Sequence, residues 1–213
     1  MSHYLDVDNW SRRDLFNFFI GYANPYFNVC CELDITGLKE FVTQKKIKIS
    51  LALHYFALRA ANETEPFRYR LKDGRVFVYD VVNGGTTVLL PNESFGYAYF
   101  DYQRNFENFV HDMGAAVAEI QSGNGKLKPT MRDDVIYHTS LPWISFTSFS
   151  HARTPGRGES IPRFVFGKFR NDNGRWLMPF SVEVHHALMD GLHVGRFLSR
   201  LEEALAHPAT FVK

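Results

Sequence analysis

VEVHHALMDGLHVGRFLSRLEEAL, residues 182–205, reads as a strand, a tight turn and a helix. In the run leading into it, Trp176, Met178, Phe180, Val182, Val184 and His186 share one parity, and Ser181, Glu183 and His185 share the other. Side chains of a strand alternate between the two sheet faces, so the first set predicts an apolar face and the second a polar one. His186 continues the apolar face. After Gly191 the period changes, and Val194, Phe197, Leu198, Leu201 and Leu205 fall on one helical stripe. Gly191 suits the backbone reversal between the two elements. A base at the end of a rigid strand, followed by a turn that carries the Asp190 carboxylate, is a way to place a functional group accurately. Burial disfavours an imidazolium, so a histidine on an apolar face tends to stay able to accept a proton. A lone histidine there is more often a satisfied core residue. The string His185, His186, Asp190, Gly191 points to more than that, with Asp190 expected to brace the loop rather than touch the ring.

The chain has 213 residues, 45% hydrophobic and 22% charged, which suits a single domain over 1–213 with a sizeable core. Twenty Phe and ten Tyr predict an aromatic-rich interior. A net charge of +1 argues against a nucleic-acid or membrane-surface partner. No apolar run approaches a membrane span, and MSHYLDVDNW is not a signal peptide, so a cytoplasmic protein is expected. Cys30 and Cys31 are adjacent and are expected to remain buried, unpaired thiols.

Taken in order, Asn9 or Ser11 can cap a first helix whose apolar side is Leu15, Phe16, Phe18 and Phe19. Arg12 and Arg13 open it; cations at a helix start oppose the macrodipole, so at least one is expected to have a partner elsewhere. FNVCCELDI reads as a strand, and Thr36 as the cap of a short helix. SLALHYFALRAANETE, from Ser50, is a mostly buried helix. RVFVYDVV, TTVLLP and SFGYAYFDY are strand-like, with Asp73-Gly74 and Gly84-Gly85 as turn signals. Asn105 caps an amphipathic helix that ends at SGNGK. Residues 134–152 are strand-rich and full of hydroxyls, and Pro142 places Ser140 at a strand end. TPGRGES, residues 154–160, is a loop; RFVFGKF is a strand, and NDNG turns the chain into WLMPFSVEVHH. Strands mixed with helices, without regular βαβ spacing, predict an α+β fold around a large mixed β-sheet with helices packed on it.

HHALMDGLHVGRF, NWSRRDLFNFF and TSLPWISFTSF together resemble the chloramphenicol acetyltransferase family, in order and at similar spacing along nearly the whole chain. The His-His-x-x-x-Asp-Gly string alone is less specific, being shared with dihydrolipoamide acyltransferase cores and condensation-type acyltransferases. The resemblance implies an acetyl-CoA-dependent O-acetyltransferase, with acetyl-CoA as co-substrate and no tightly bound cofactor or metal. His186 would be the general base that takes the proton of an acceptor hydroxyl as its oxygen attacks the thioester. Ser140 would donate to the oxyanion. Asp190 would pair with Arg12 and hold the histidine loop. Trp143, Lys168 and Phe169 fall where the family contacts coenzyme A. The family is a homotrimer with its sites between subunits, associated with antibiotic resistance.

The acceptor half departs from the family's pattern. Phe27, Thr87, Phe95 and Phe149 match it. Phe19 replaces a frequent tyrosine, Val165 a threonine, Tyr97 a small residue and Lys128 an aromatic. His151 and Arg163 stand at usually apolar positions and Glu183 at a glutamine. Three potentially charged groups beside a largely apolar antibiotic cost desolvation unless they are paired. The alternatives are therefore an acyltransferase for a different hydroxyl or amine acceptor, and a non-catalytic binding protein of the same fold. A metal site of His185, His186, Asp190 and His193 is disfavoured, because opposite parity separates the first two and no acidic or cysteine cluster completes the set.

Overall fold

The computed structural model describes residues 1–124, 132–153 and 159–212. Lys128 and residues 154–158 of the 154–160 loop lie outside the described residues. In chain order the elements are β1 (His3–Tyr4), α1 (Arg13–Ile20), β2 (Tyr26–Asp34), α2 (Thr36–Lys45), α3 (Ile49–Asn62), β3 (Tyr69–Lys72), β4 (Arg75–Val78), β5 (Asn83–Leu89), β6 (Phe95–Phe100), α4 (Phe106–Glu119), β7 (Val135–Leu141), β8 (Arg163–Gly167), β9 (Arg170–Asp172), β10 (Arg175–His185), α5 (Gly191–Ala206) and α6 (Pro208–Phe211).

The large sheet has the order β2-β10-β8-β7-β5-β6, with β9 also on β10. It is mixed: β7 runs parallel to β5 and β8, and the other pairs are antiparallel. Met178, Phe180, Val182 and Val184 of β10 face a core shared with Phe164 and Phe166 of β8, with α3, and with Val194, Phe197, Leu201 and Leu205 of α5. The alternation in the sequence thus selects the helix-covered face. A second, three-stranded sheet, β1-β4-β3, encloses a smaller core in which Phe16 of α1, Val76 and Val78 pack against Ala187 and Leu188, the residues after His186. Arg70 on β3 is fully buried and donates to the carbonyls of Phe67, Tyr69, Asp133 and Val135, which ties this sheet to the start of β7.

Several local expectations change in three dimensions. Gly84 and Gly85 lie inside β5 and not in a turn. A Cβ at Gly84 would sit 2.2 Å from the Phe100 ring, and one at Gly85 2.9 Å from the Tyr99 ring, so cross-strand aromatics occupy the space a side chain would need. The Asp73-Gly74 turn does form, with positive φ at both residues. Helix α1 has Arg12 at its N-cap position and no side-chain cap, while Asn9 donates to Asp6. At α2 the capping acceptor is Asp34, which takes the Thr36 N–H at 3.0 Å; Thr36 is the first helical residue. Asn105 caps α4 by accepting from the Asn108 N–H. The strand-rich reading of 134–152 holds only to Leu141; residues 142–153 are irregular. They cover the second face of the sheet, where Phe146 approaches Gly167 and His151 approaches Glu183. The polar face of β10 is therefore buried as well, with Ser181, Glu183 and His185 all enclosed. The reversal after β10 falls on His186–Leu188, and Gly191 opens α5 without a positive φ.

The core also holds two histidines. His54 bonds to the Ser50 carbonyl (2.7 Å) and Thr86 hydroxyl (3.2 Å), and His138, 4.7 Å away ring to ring, has no partner for either ring nitrogen among the described residues. Burial lowers His54 to about 4; burial and then His54 hold His138 well below its ordinary 6.5. The unfolded chain binds these protons from about pH 6.5 downward and the folded chain does not. Stability is therefore complete above that pH and lost as pH falls toward 4, by roughly 3 kcal/mol for a shift the size of that of His54. Urea midpoints should drop between pH 6.5 and 4.5, and His138→Leu should flatten the drop. A variant with the parental pH dependence would contradict this.

Candidate active site

His186 leaves the end of β10 with its backbone still anchored: its N–H donates to the Pro25 carbonyl at 2.7 Å. The ring is stacked on Phe19 at 3.9 Å and 8°, and is tilted against Phe27 at 4.6 Å. One aromatic from α1 and one from β2 thus hold the imidazole plane. Its Nδ1 is buried without a hydrogen-bond partner among the described residues. Arg12 donates to the Asp190 carboxylate and reaches the His186 carbonyl at 3.4 Å. Asp190 also caps α5, accepting from the Leu192 N–H at 3.1 Å, and His193 closes a capping box by accepting the Asp190 N–H. Burial would raise the Asp190 carboxyl; the Arg12 hydrogen bond and charge outweigh it and hold the pKa below the usual value. One carboxylate thus joins the N-terminus of α5, the arginine before α1 and, through that arginine, the histidine loop. Among the described residues no group of three His, Cys, Asp or Glu is placed to hold a metal.

The remaining candidates lie elsewhere. Trp143 is exposed, and the Lys168 N–H donates to the Ile144 carbonyl at 2.9 Å. Phe169 packs edge-on to Trp176 at 5.8 Å, under the Lys39 ammonium at 5.4 Å. These three residues follow the C-terminal ends of β7 and β8, and Ser140 is the last residue but one of β7. Ser140 is level with Phe166, and Phe166 with Phe180. His186 is six residues beyond Phe180, just past the end of β10, so the two are roughly 20 Å apart along the sheet at about 3.3 Å per residue. One chain does not bring Ser140 and His186 together.

Strand parity sorts the acceptor candidates. Val165 pairs with Thr139 on one side and Ser181 on the other, and Thr87 pairs with Tyr97. Tyr97, Thr87, Thr139, Val165 and Ser181 therefore share the face covered by 142–153. Val165 is fully buried there, whereas Phe95, at the sheet's outer strand, is exposed and edge-on to Tyr97 at 5.6 Å. Phe149 meets the His151 ring at 4.8 Å. Ser140 falls on the opposite, Phe166 face; its neighbour Thr139 is the hydroxyl that shares the face with the other candidates.

His151, Arg163 and Glu183 are all paired. Glu183 accepts from Arg153 and has His151 at 3.5 Å; Arg163 donates to Glu159 at 2.7 Å. Burial would raise the Glu183 carboxyl, and His151 and Arg153 bring it down to about 2. Arg153, Glu159 and Tyr26 went unnoticed in the sequence, since nothing local marks which partner a residue meets in the fold: Arg153 and Glu183 are 30 positions apart, and Tyr26 and Glu159 are 133 apart.

A family model for chloramphenicol acetyltransferase matches residues 2–202. A chloramphenicol acetyltransferase of Proteus mirabilis is 28% identical over 200 residues, 93% of this chain and 92% of that one. Chloramphenicol acetyltransferase 3 of Escherichia coli is 30% identical over 201 residues, 93% and 94% of the two chains. A solved chloramphenicol acetyltransferase superposes with a TM-score of 0.89 at 28% identity, over 96% of this chain and 100% of that one. The dihydrolipoamide acetyltransferase of Azotobacter vinelandii shares the fold, with a TM-score of 0.71 at 17% identity over 93% and 88% of the chains. With sequence and architecture matched along nearly its whole length, this chain belongs to the chloramphenicol acetyltransferase family and is an acyltransferase.

Proposed function

We propose that the protein moves the acetyl group of acetyl-CoA onto a hydroxyl of chloramphenicol or a similar acceptor, in a site assembled between copies of the chain. The observation that carries this reading is the His186 ring clamped by Phe19 and Phe27 beside the Arg12–Asp190 pair. His186 accepts the hydroxyl proton while the oxygen attacks the thioester carbonyl carbon. The tetrahedral oxyanion takes a hydrogen bond from a hydroxyl on β7. It then collapses, the carbon–sulfur bond breaks, and the imidazolium returns the proton to the departing thiolate. No acyl-enzyme is needed when both substrates are held together. Trp143, Lys168 and Phe169 are assigned to coenzyme A. The distance between Ser140 and His186 within one chain supports a composite site, and a homotrimer supplies it. The adjacent thiols Cys30 and Cys31 are unpaired, which suits the cytoplasm.

A second acceptor class is favoured by one observation: Tyr97 and Val165 stand where the acceptor wall departs from the family, and a bulky phenol narrows that wall. Phe27, Thr87, Phe95 and Phe149 are the acceptor contacts the two readings share; Phe19 and Lys128 belong to the remodelled set. Thioester consumption over a panel of hydroxyl acceptors, chloramphenicol first, tests both. Parental turnover with chloramphenicol supports the first reading, and turnover only with another acceptor the second.

His186→Ala should lower kcat by about 10²–10⁴-fold in that assay. On the β7 hydroxyl, face parity favours Thr139. Thr139→Val should cost about 10²–10³-fold in kcat, as for a lost oxyanion donor, and more than Ser140→Ala; the reverse ranking would return the role to Ser140. Arg12→Ala leaves the Asp190 carboxylate without its charged partner, and urea unfolding should show a loss of about 1–3 kcal/mol together with a fall in kcat.

A further inference from the structure

The polar face of β10 carries a charge network that acetyl transfer does not itself require. Glu183 accepts from the Arg153 Nε at 2.9 Å, and Arg153 Nη1 lies 3.7 Å from Glu159. The Arg153 guanidinium also sits 3.5 Å over the Tyr26 ring. The Tyr26 hydroxyl donates to the Glu159 carbonyl, and its ring meets His185 edge-on at 5.1 Å. Tyr26 lies between two residues that hold His186: the Pro25 carbonyl takes its N–H, and the Phe27 ring packs on its imidazole. The β2 side of the His186 clamp is therefore tied through Tyr26 to Arg153, and through Arg153 to Glu183.

The network is too enclosed to bind an acceptor. The Glu183 side chain is 8% exposed and that of Arg153 16%. Stability does not account for it either, because apolar replacements of buried ion pairs are often as stable or more so. What such a pair can supply instead is a single geometry. We propose that Glu183 and Arg153 are a positioning couple for acetyl transfer: they fix Tyr26 and so press Pro25 and Phe27 against His186. The proposal rests on His186 acting as the general base.

Glu183→Gln keeps the size and removes the charge; Arg153→Met removes the cation over Tyr26. Both should lower kcat on the order of tenfold or more, as small misplacements of a catalytic group do. The KM for acetyl-CoA should stay within about twofold, because neither side chain is among its assigned contacts. Arg153→Lys, which retains a cation, should recover part of the loss. Arg175→Gln, which breaks the exposed pair with Asp34, is the control. The His186 ring resonances, assigned by their disappearance in His186→Ala, should move in Glu183→Gln and stay in Arg175→Gln. Parental kcat in Glu183→Gln, a loss that only tracks the unfolded fraction in urea, or an unmoved His186 resonance would each overturn the proposal. A parent that acetylates no acceptor would instead overturn the functional reading, and the resonance still decides whether the couple positions the ring.

Discussion

Strand β10 is paired along both edges, with β2 on one side and β8 and β9 on the other, and this double ladder decides where its last residues emerge. The final pair is His185 with Tyr26, and the next backbone N–H, that of His186, still reaches Pro25. The imidazole thus leaves the sheet from an anchored backbone. A slip of one residue would exchange the two faces of β10, send Val182 and Val184 to the polar side and bring Glu183 into the apolar core. That cost holds the register, and the register holds the histidine.

Buried charge recurs in the fold and is handled in three ways. Arg12 and Asp190 answer each other, and the carboxylate also caps a helix, so its charge is doubly used. Glu183 and Arg153 answer each other beneath an irregular cover. Arg70 has no salt-bridge partner among the described residues and is satisfied by four backbone carbonyls, although burial lowers its pKa to about 10. Each case follows one rule: a desolvated charge persists where hydrogen bonds or an opposite charge replace water. The same balance lets Glu183, beside Arg153, and Arg163, beside Glu159, sit inside the fold.

The geometry of one chain also limits the chemistry it can perform. The histidine clamp is at one end of β10, while Trp143, Lys168 and Phe169 gather beyond the ends of β7 and β8, most of a strand length away. A direct transfer needs base, hydroxyl and thioester within contact distance. On the proposed reading, each chain therefore carries half of two sites, and the wall that receives the acceptor has to face a neighbour.

Alternation through 176–186 and the stripe from Val194 to Leu205 were legible in the sequence, because periodicity is a local property and each element buries the side that the pattern marks. The central strand and its helix follow from that local reading, the aromatic interior from composition, and the family from the resemblance of three short motifs. Pairings across the chain do not. Whether Gly84 makes a turn or yields to the ring of Phe100, whether Asp34 or Thr36 caps α2, which hydroxyl of β7 shares a face with Val165, and which arginine answers Glu183 depend on register between distant strands. Register is set by the summed packing of the sheet, and no single stretch of the chain contains it.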